Sequence, residues 1–410
     1  MQSLWHMLAD SVEAFGSQRA RVYNAAHTTR ATRPPGLPGL HTLERQEAYG
    51  RAQTRRMTPS VARKGHTMHA DHGISRRHVL GLTVAFSGLA LAGDVRSVLA
   101  QAPGSGPVTL DVRHPDLHTL IAPETPVTRI AGGLGFTEGP VWQGNTLLFS
   151  DIPNKRIVRW RRLPEGPELT TYATGMSNGL TLDRQGQVLA AEHNGRRVTR
   201  VAEDGTRTVL AKQFQGKRLN SPNDLVLKSD GALYFTDPPY GVQPPTPGVP
   251  RPEGWWSAPM PGKEQTVNGV YRLAPDGTLS LVVDDFALPN GLAFAPDETV
   301  LYIDDSAHKH LRAFDVRPDG TLTNSRILLD MASADPGVPD GLKVDQRGHV
   351  FCTGPGGVWV CRPNGELLGR IVLPELPANL AWGEDGSVLF LTARTSVYCL
   401  PTLTRGVLLG

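Results

Sequence analysis

The chain has 410 residues, with 42 Lys+Arg against 39 Asp+Glu for a net charge of +3, and it carries 44 Gly and 34 Pro. That length allows two domains, and the Gly and Pro content fits a turn-rich β architecture. The basic excess lies in the first 80 residues, so the remainder makes no electrostatic case for a nucleic-acid partner. No run of 18 apolar residues is present, which leaves no candidate membrane-spanning helix.

Residues 1–67 are rich in Arg, His, Thr, Ala and Pro without a hydrophobic period. They read as disordered, or as an extension absent from the natural protein. The second reading rests on residues 68–102, which begin at Met68 and have the layout of an export signal. Arg76 and Arg77 precede an apolar run from Val79 to Gly93, and Ala100-Gln101-Ala102 forms a small-x-small cleavage site. Ser75-Arg76-Arg77-His78-Val79-Leu80 resembles a twin-arginine signal. A start at Met68 and a periplasmic or secreted mature chain beginning near Pro103 are therefore expected; a buried helix with two chance arginines is the plain alternative.

From residue 103 to 410 one domain is expected. Pro107-Val108-Thr109-Leu110 and Val127-Thr128-Arg129-Ile130 read as strands, the second placed to complete the last repeat and tie the chain ends together. A pattern of polar residue, short apolar strand, turn and second apolar strand then occurs six times. The polar residues are Glu138, Asn178, Asn223, Asn290, Asp340 and Asn379, at spacings of 40, 45, 67, 50 and 39 residues. Four-stranded blades recur at roughly 40 to 50 residues, so the fold class is all-β, a six-bladed β-propeller, in which ring closure protects the sheet edges. The long interval holds an insertion, Gly241–Thr266, with seven Pro and the pair Trp255-Trp256. Its tryptophans favour an ordered lid over one face of the ring, against a loop packed outside.

Of the three cysteines, Cys352 and Cys361 are symmetric about Gly356-Gly357. A two-residue turn there would set them opposite one another, in reach of a disulfide, although folding before export favours free thiols. Asp304-Asp305 reads as a turn, His308 and His310 as solvated, and His193 as a turn residue or a hydrogen-bonding partner for a sugar hydroxyl. Tyr240 and Trp255 offer aromatic faces.

The first strand of each propeller blade lines the central channel, so the six polar residues should form a ring. Two carboxylates and four carboxamides facing one another need a counter-charge and partners. One divalent cation supplies both. The all-oxygen donor set, without His or Cys, favours Ca²⁺, Mg²⁺ or Mn²⁺ over Zn²⁺, and Ca²⁺ is the expected ion. The plain alternative is that Asn-Gly and Asp-Gly pairs merely make turns, but Glu138-Gly139-Pro140 and Asn223-Asp224 break that pattern while keeping their place in the repeat.

The motifs FTEGPVW, SPNDL with YFTDPPYG, PNGLAF and PDGLKVD, in this order, resemble those of the SMP-30/gluconolactonase/LRE family from about Ile130 to Leu400. The resemblance implies a six-bladed propeller with a divalent metal in its channel, held by Glu138, Asn223, Asn290 and Asp340, and hydrolysis of sugar lactones. Asp340 is then both ligand and general base, and Asn178 and His193 are candidates for substrate contact. No phosphate loop, dinucleotide fingerprint or Gly-x-Ser-x-Gly elbow is present. Two other functions stay open on the sequence: a non-catalytic propeller stapled by its metal, and a phosphotriesterase-type hydrolase on the same ligands.

Overall fold

The computed structural model describes residues 106–243 and 251–408. The N-terminal extension (1–67), the export signal (68–102) and the start at Pro103 lie outside them.

Six sheets of four or more antiparallel strands account for the six repeats. Blade 1 is Thr137–Gln143, Thr146–Asp151, Arg156–Leu163 and Gly166–Thr174. Blade 2 is Leu180–Leu182, Val188–Glu192, Arg197–Val201 and Arg207–Ala211. Blade 3 is Leu225–Leu227, Leu233–Asp237, Asn268–Leu273 and Leu279–Phe286. Blade 4 is Pro289–Phe294, Val300–Asp305, His310–Val316 and Leu322–Asp330. Blade 5 is Leu342–Val344, Val350–Gly354, Gly357–Cys361 and Leu367–Val372, and blade 6 is Asn379–Gly383, Val388–Ala393 and Ser396–Pro401.

Blade 6 is completed from the other end of the chain: Pro126–Ala131 pairs with Ser396–Pro401, with Ala131 opposite Val397. The expected strand Pro107–Leu110 is two strands. Gly106–Pro107 extends blade 6, and Thr109–Val112 adds a fifth strand to blade 5. The chain start therefore straps two neighbouring blades together.

The alternation of apolar residues along each strand has a direct consequence here. Each blade presents apolar side chains to both neighbours, and six buried clusters result, one at each blade junction. Blades 3 and 4, for example, meet through Tyr234, Val270, Leu292, Leu301, Ile303 and Phe314. At the hairpins far from the ring, an Asp turns the chain: Asp230 Oδ1 accepts the Ala232 N–H at 2.9 Å and Gly231 takes φ +89°. This is the Asp-Gly turn chemistry read from the sequence.

The register around Gly356 differs from the expectation. Gly354 pairs with Gly357, so the turn residues are Pro355 and Gly356. Cys352 then faces Trp359 and Cys361 faces Val350. The two sulfurs are offset by one pleat repeat, and all three cysteines are free and buried. Asp304 and Asp305 end a blade 4 strand, and Asp305 Oδ1 caps the turn that follows by accepting the Ala307 N–H at 2.9 Å, but Asp304 takes no part in that turn and both residues are buried. Among the described residues no helix is long and apolar enough to cross a membrane.

Candidate metal centre and substrate pocket

The six ring residues come from six blades and meet through hydrogen bonds between neighbours. Asn178 Nδ2 donates to Asn223 Oδ1 at 2.9 Å. Asn379 Nδ2 donates to Glu138 Oε2 at 3.0 Å and to Asp224 Oδ2 at 3.2 Å. The Asn290 carboxamide donates to Ser306 Oγ at 3.0 Å and hydrogen-bonds the Asp340 carboxylate. Five of the six are buried, and Asp340 is half-buried.

Local backbone aims them. Glu138 and Asn290 sit at β-bulges, where the pairing jumps from Glu138 to Val141 and from Pro289 to Leu292. A bulge bends its strand and redirects a side chain. The glycines that follow have a reason other than turn-making. A Cβ on Gly139 would lie 2.1 Å from Asn178 O, on Gly179 2.6 Å from Asn223 O, on Gly291 2.2 Å from Asp340 O, and on Gly341 2.0 Å from Asn379 Oδ1. Each glycine lets the next blade's ring residue approach the axis. Hydroxyls on the second strands fix the same neighbours: Ser150 Oγ donates to Asn178 O at 2.7 Å and Thr236 Oγ1 to Asn290 O at 2.7 Å.

Two further carboxylates join the ring, and each breaks a column of the repeat. Asp224 stands where Gly139, Gly179, Gly291 and Gly341 stand in other blades. Asp304 stands where Ser150, Thr236, Thr353 and Thr392 stand. Aligning the six repeats by column is the signal that finds them.

The electrostatics test whether these residues suit a cation. Burial pushes the Glu138 carboxyl up to about 7, and the Asp224 carboxylate adds to the effect. Burial and then Glu138, Asp304 and Asp224 hold Asp340 well above the ordinary carboxylate range. Burial and then Asp305 and Asp224 do the same to Asp304. Lys343 offsets Glu138 and Asp224 only in part. Asn178 Oδ1 and Asp304 Oδ1 are buried without a partner. Clustered buried acids and orphaned oxygens fit a hard divalent cation, which prefers oxygen donors and reverses the repulsion.

The mouth of the channel is formed by loops at the same blade ends. His193 is buried, and its Nδ1 lies 3.0 Å from Asn194 Oδ1. Burial pushes its imidazole down to about 4. The ring is neutral above that pH; Nδ1–H donates to Asn194, and Nε2 is left as an acceptor. Tyr240 stacks on His193 with centroids 6.1 Å apart, and Trp255 lies 5.7 Å from Tyr240. The described part of the insertion is thus packed on the wall of this mouth. His308 is exposed, as expected, but its Nδ1 lies 2.9 Å from Asp305 Oδ2, and His310 stacks on it half-buried. Asp305 also accepts the N–H groups of Ala287 and Leu288, so it braces the loop entering blade 4.

The profile described as the SMP-30/Gluconolactonase/LRE-like region matches residues 136–395. The chain belongs to this family. It is similar to a gluconolactonase of Zymomonas mobilis, 35% identical over an alignment of 323 residues, gaps included, that covers 71% of this chain and 85% of the relative. It is also similar to a pentonolactonase of Haloferax volcanii, 27% identical over 62% of this chain and 80% of the relative. Among solved structures, a gluconolactonase of Xanthomonas campestris superposes with a TM-score of 0.64 at 33% identity, covering 73% of this chain and 98% of that one. The family match spans all six blades and contains every ring residue from Glu138 to Asn379.

Proposed function

We propose that this member of the SMP-30/gluconolactonase family is a metal-dependent carboxylic-ester hydrolase that opens sugar lactones at the mouth of its channel. The observation that carries the reading is the meeting of Glu138, Asn223, Asn290 and Asp340 at the axis, where buried carboxylates lack a sufficient counter-charge. These four residues would hold one divalent cation. The Ca²⁺ assignment rests on an all-oxygen donor set. When bound, such an ion supplies Lewis-acid polarisation of the lactone carbonyl.

The chain's own residues supply the rest. Asp340 takes the proton from the attacking water at its carboxylate, a general-base role that its half-buried place at the mouth permits. The remaining ring hydrogen bonds hold the ligands: Asn379 fixes Glu138 Oε2, Asn178 fixes Asn223, and Ser306 fixes Asn290. Neutral His193 offers Nε2 to a sugar hydroxyl, and the Tyr240 face borders the ring of the substrate. The His193 Nε2 left free as an acceptor at this mouth supports a hydroxylated lactone over an apolar phosphotriester. The signal at residues 68–102 supports action in the periplasm or outside the cell; N-terminal sequencing of the exported chain should begin near Pro103.

The test is proton release from glucono-1,5-lactone by chain starting at Pro103, stripped of metal and refilled with Ca²⁺, Mg²⁺, Mn²⁺ or Zn²⁺. Metal-restored turnover is expected, with the ion of highest activity naming the cofactor. A rise in melting temperature on refilling, without turnover of any lactone, would make the channel ion a structural staple and sink the lactonase reading.

A further inference from the structure

The wall of the mouth continues beyond Tyr240 to a cation. The Arg251 guanidinium carbon lies 3.6 Å from the Trp255 ring centroid and 6.0 Å from that of Tyr240. Its polar partner among the described residues is the Gln243 carbonyl oxygen. No carboxylate among the described residues forms an ion pair with it. The segment 244–250 contains no acidic residue either. Among the described residues, this half-buried guanidinium with five N–H donors meets an aromatic face and one carbonyl, which leave most of its fork unspent. Burial depresses its proton affinity, which is the sign of an uncompensated charge.

Tyr240 fixes how this cation stands relative to the ring residues. Ser306 Oγ donates its only hydrogen to Pro339 O at 2.7 Å and accepts from Asn290 Nδ2. The Tyr240 hydroxyl lies beside Ser306, within the field of the Asp340 carboxylate. So the phenol is anchored at its hydroxyl end beside Asn290 and Asp340, and its ring runs outward to Arg251. His193, which also stacks on Tyr240, is neutral and adds no second positive charge. A lactone with its carbonyl at the channel ligands and its ring along Tyr240 directs its far substituent at Arg251.

We propose that the lactone opened here carries an anionic group, a carboxylate or a phosphate, on the carbon farthest from the reacting carbonyl, and that Arg251 is the specificity residue that reads it. This rests on the lactonase reading above. Planar guanidinium pairs both oxygens of either anion, which an ammonium cannot do in the same geometry. A neutral hydroxymethyl end would leave the guanidinium without its counter-charge.

The experiment compares kcat/KM for three probes on metal-loaded enzyme: glucono-1,5-lactone, its 6-phosphate, and glucaro-1,5-lactone with its carboxylate at the same carbon. Wild type should prefer at least one charged probe by about 10- to 100-fold, the range for one charge-assisted bidentate contact. In Arg251→Gln that preference should fall by a similar factor through KM, and Arg251→Lys should recover part of it. Which charged probe is preferred distinguishes phosphate from carboxylate. Turnover of all three with equal kcat/KM in wild type, or a preference that survives Arg251→Gln, overturns the proposal and leaves the lactonase standing. If none of the three is opened, both readings fall together.

Discussion

Gly291 offers the sharpest test of how the ring is built. It follows Asn290 and faces the blade 5 ring residue Asp340, which we propose as a metal ligand. A Cβ there would sit 2.2 Å from Asp340 O, 2.7 Å from Asp304 Oδ2 and 2.9 Å from Gly341 Cα. Ordinary contact begins at 3.4 Å, so blades 4 and 5 must part by about 1.2 Å at the axis. The backbone angles of Gly291 are accessible to alanine, so the effect of Gly291→Ala is steric alone. Overpacking of this kind costs about 1–3 kcal/mol. For a domain of this size each kcal/mol lowers Tm by about 2–4 °C. The larger effect should be on the metal. A constellation of ligands tolerates displacement of about 0.5 Å, and disturbing the groups that orient ligands costs about 10- to 100-fold in affinity. Titration calorimetry with Ca²⁺ beside a melting curve would measure both. Gly106→Ala, where a Cβ meets nothing within 4 Å, is the control. A Gly291→Ala protein with wild-type Tm and metal affinity would refute the idea that glycine is there to let neighbouring blades close on the cation.

Three other outcomes are expected. At saturating metal, Asp340→Asn should lower kcat by about 100- to 10,000-fold, the usual contribution of a general base. Glu138→Gln should instead weaken metal binding more than turnover; near-normal kcat in Asp340→Asn would remove its assigned role. Asp237 is buried and pushed up to about 7 from 3.8 by burial. A raised carboxyl contributes stability that is complete below the unfolded pKa and is lost as pH rises through the folded one. Wild-type Tm should therefore decline between pH 4 and 7. The decline corresponds to at most about 4 kcal/mol at 1.36 kcal/mol per pH unit. It should be shallower in Asp237→Asn, which keeps an oxygen for the Asn220 N–H, while the raised ring acids Glu138, Asp304 and Asp340 keep their own share of the slope; an unchanged profile in that variant would show that those acids alone set it. Finally, burial pushes Cys361 up to about 12 and raises Cys352 and Cys399 too. A thiol reagent should label none of the three in the native protein and all three in denaturant; a missing thiol under denaturing conditions would signal a disulfide.

The chain's repeat is written in its sequence because each blade is a local object. Alternating apolar residues, Asp-Gly turns and one polar residue at each strand mouth lie within a few tens of residues of one another. This locality makes Glu138, Asn178, Asn223, Asn290, Asp340 and Asn379 legible as one ring from the sequence alone. It also gave Val127–Ile130 as the closing strand of the last blade. What the sequence left undecided depends on contacts between blades, which no local pattern encodes. Asp304 read as a turn because Asp-Asp at a strand end is common there; only the packing of blades 3, 4 and 5 turns it into a buried acid beside Asp340. The glycines after Asn178, Asn290 and Asp340 fit turn chemistry by sequence, whereas the close approach of the next blade's ring residue shows them to be clearance. The offset of Cys352 and Cys361 follows from a turn at Pro355-Gly356, one residue earlier than symmetry suggested. And Arg251 became visible only when the insertion folded back onto Tyr240 and Trp255. Local pattern thus determines the blades and their polar markers. The charge balance of the channel and the shape of its mouth arise where blades meet, because burial and close approach exist only in the assembled ring.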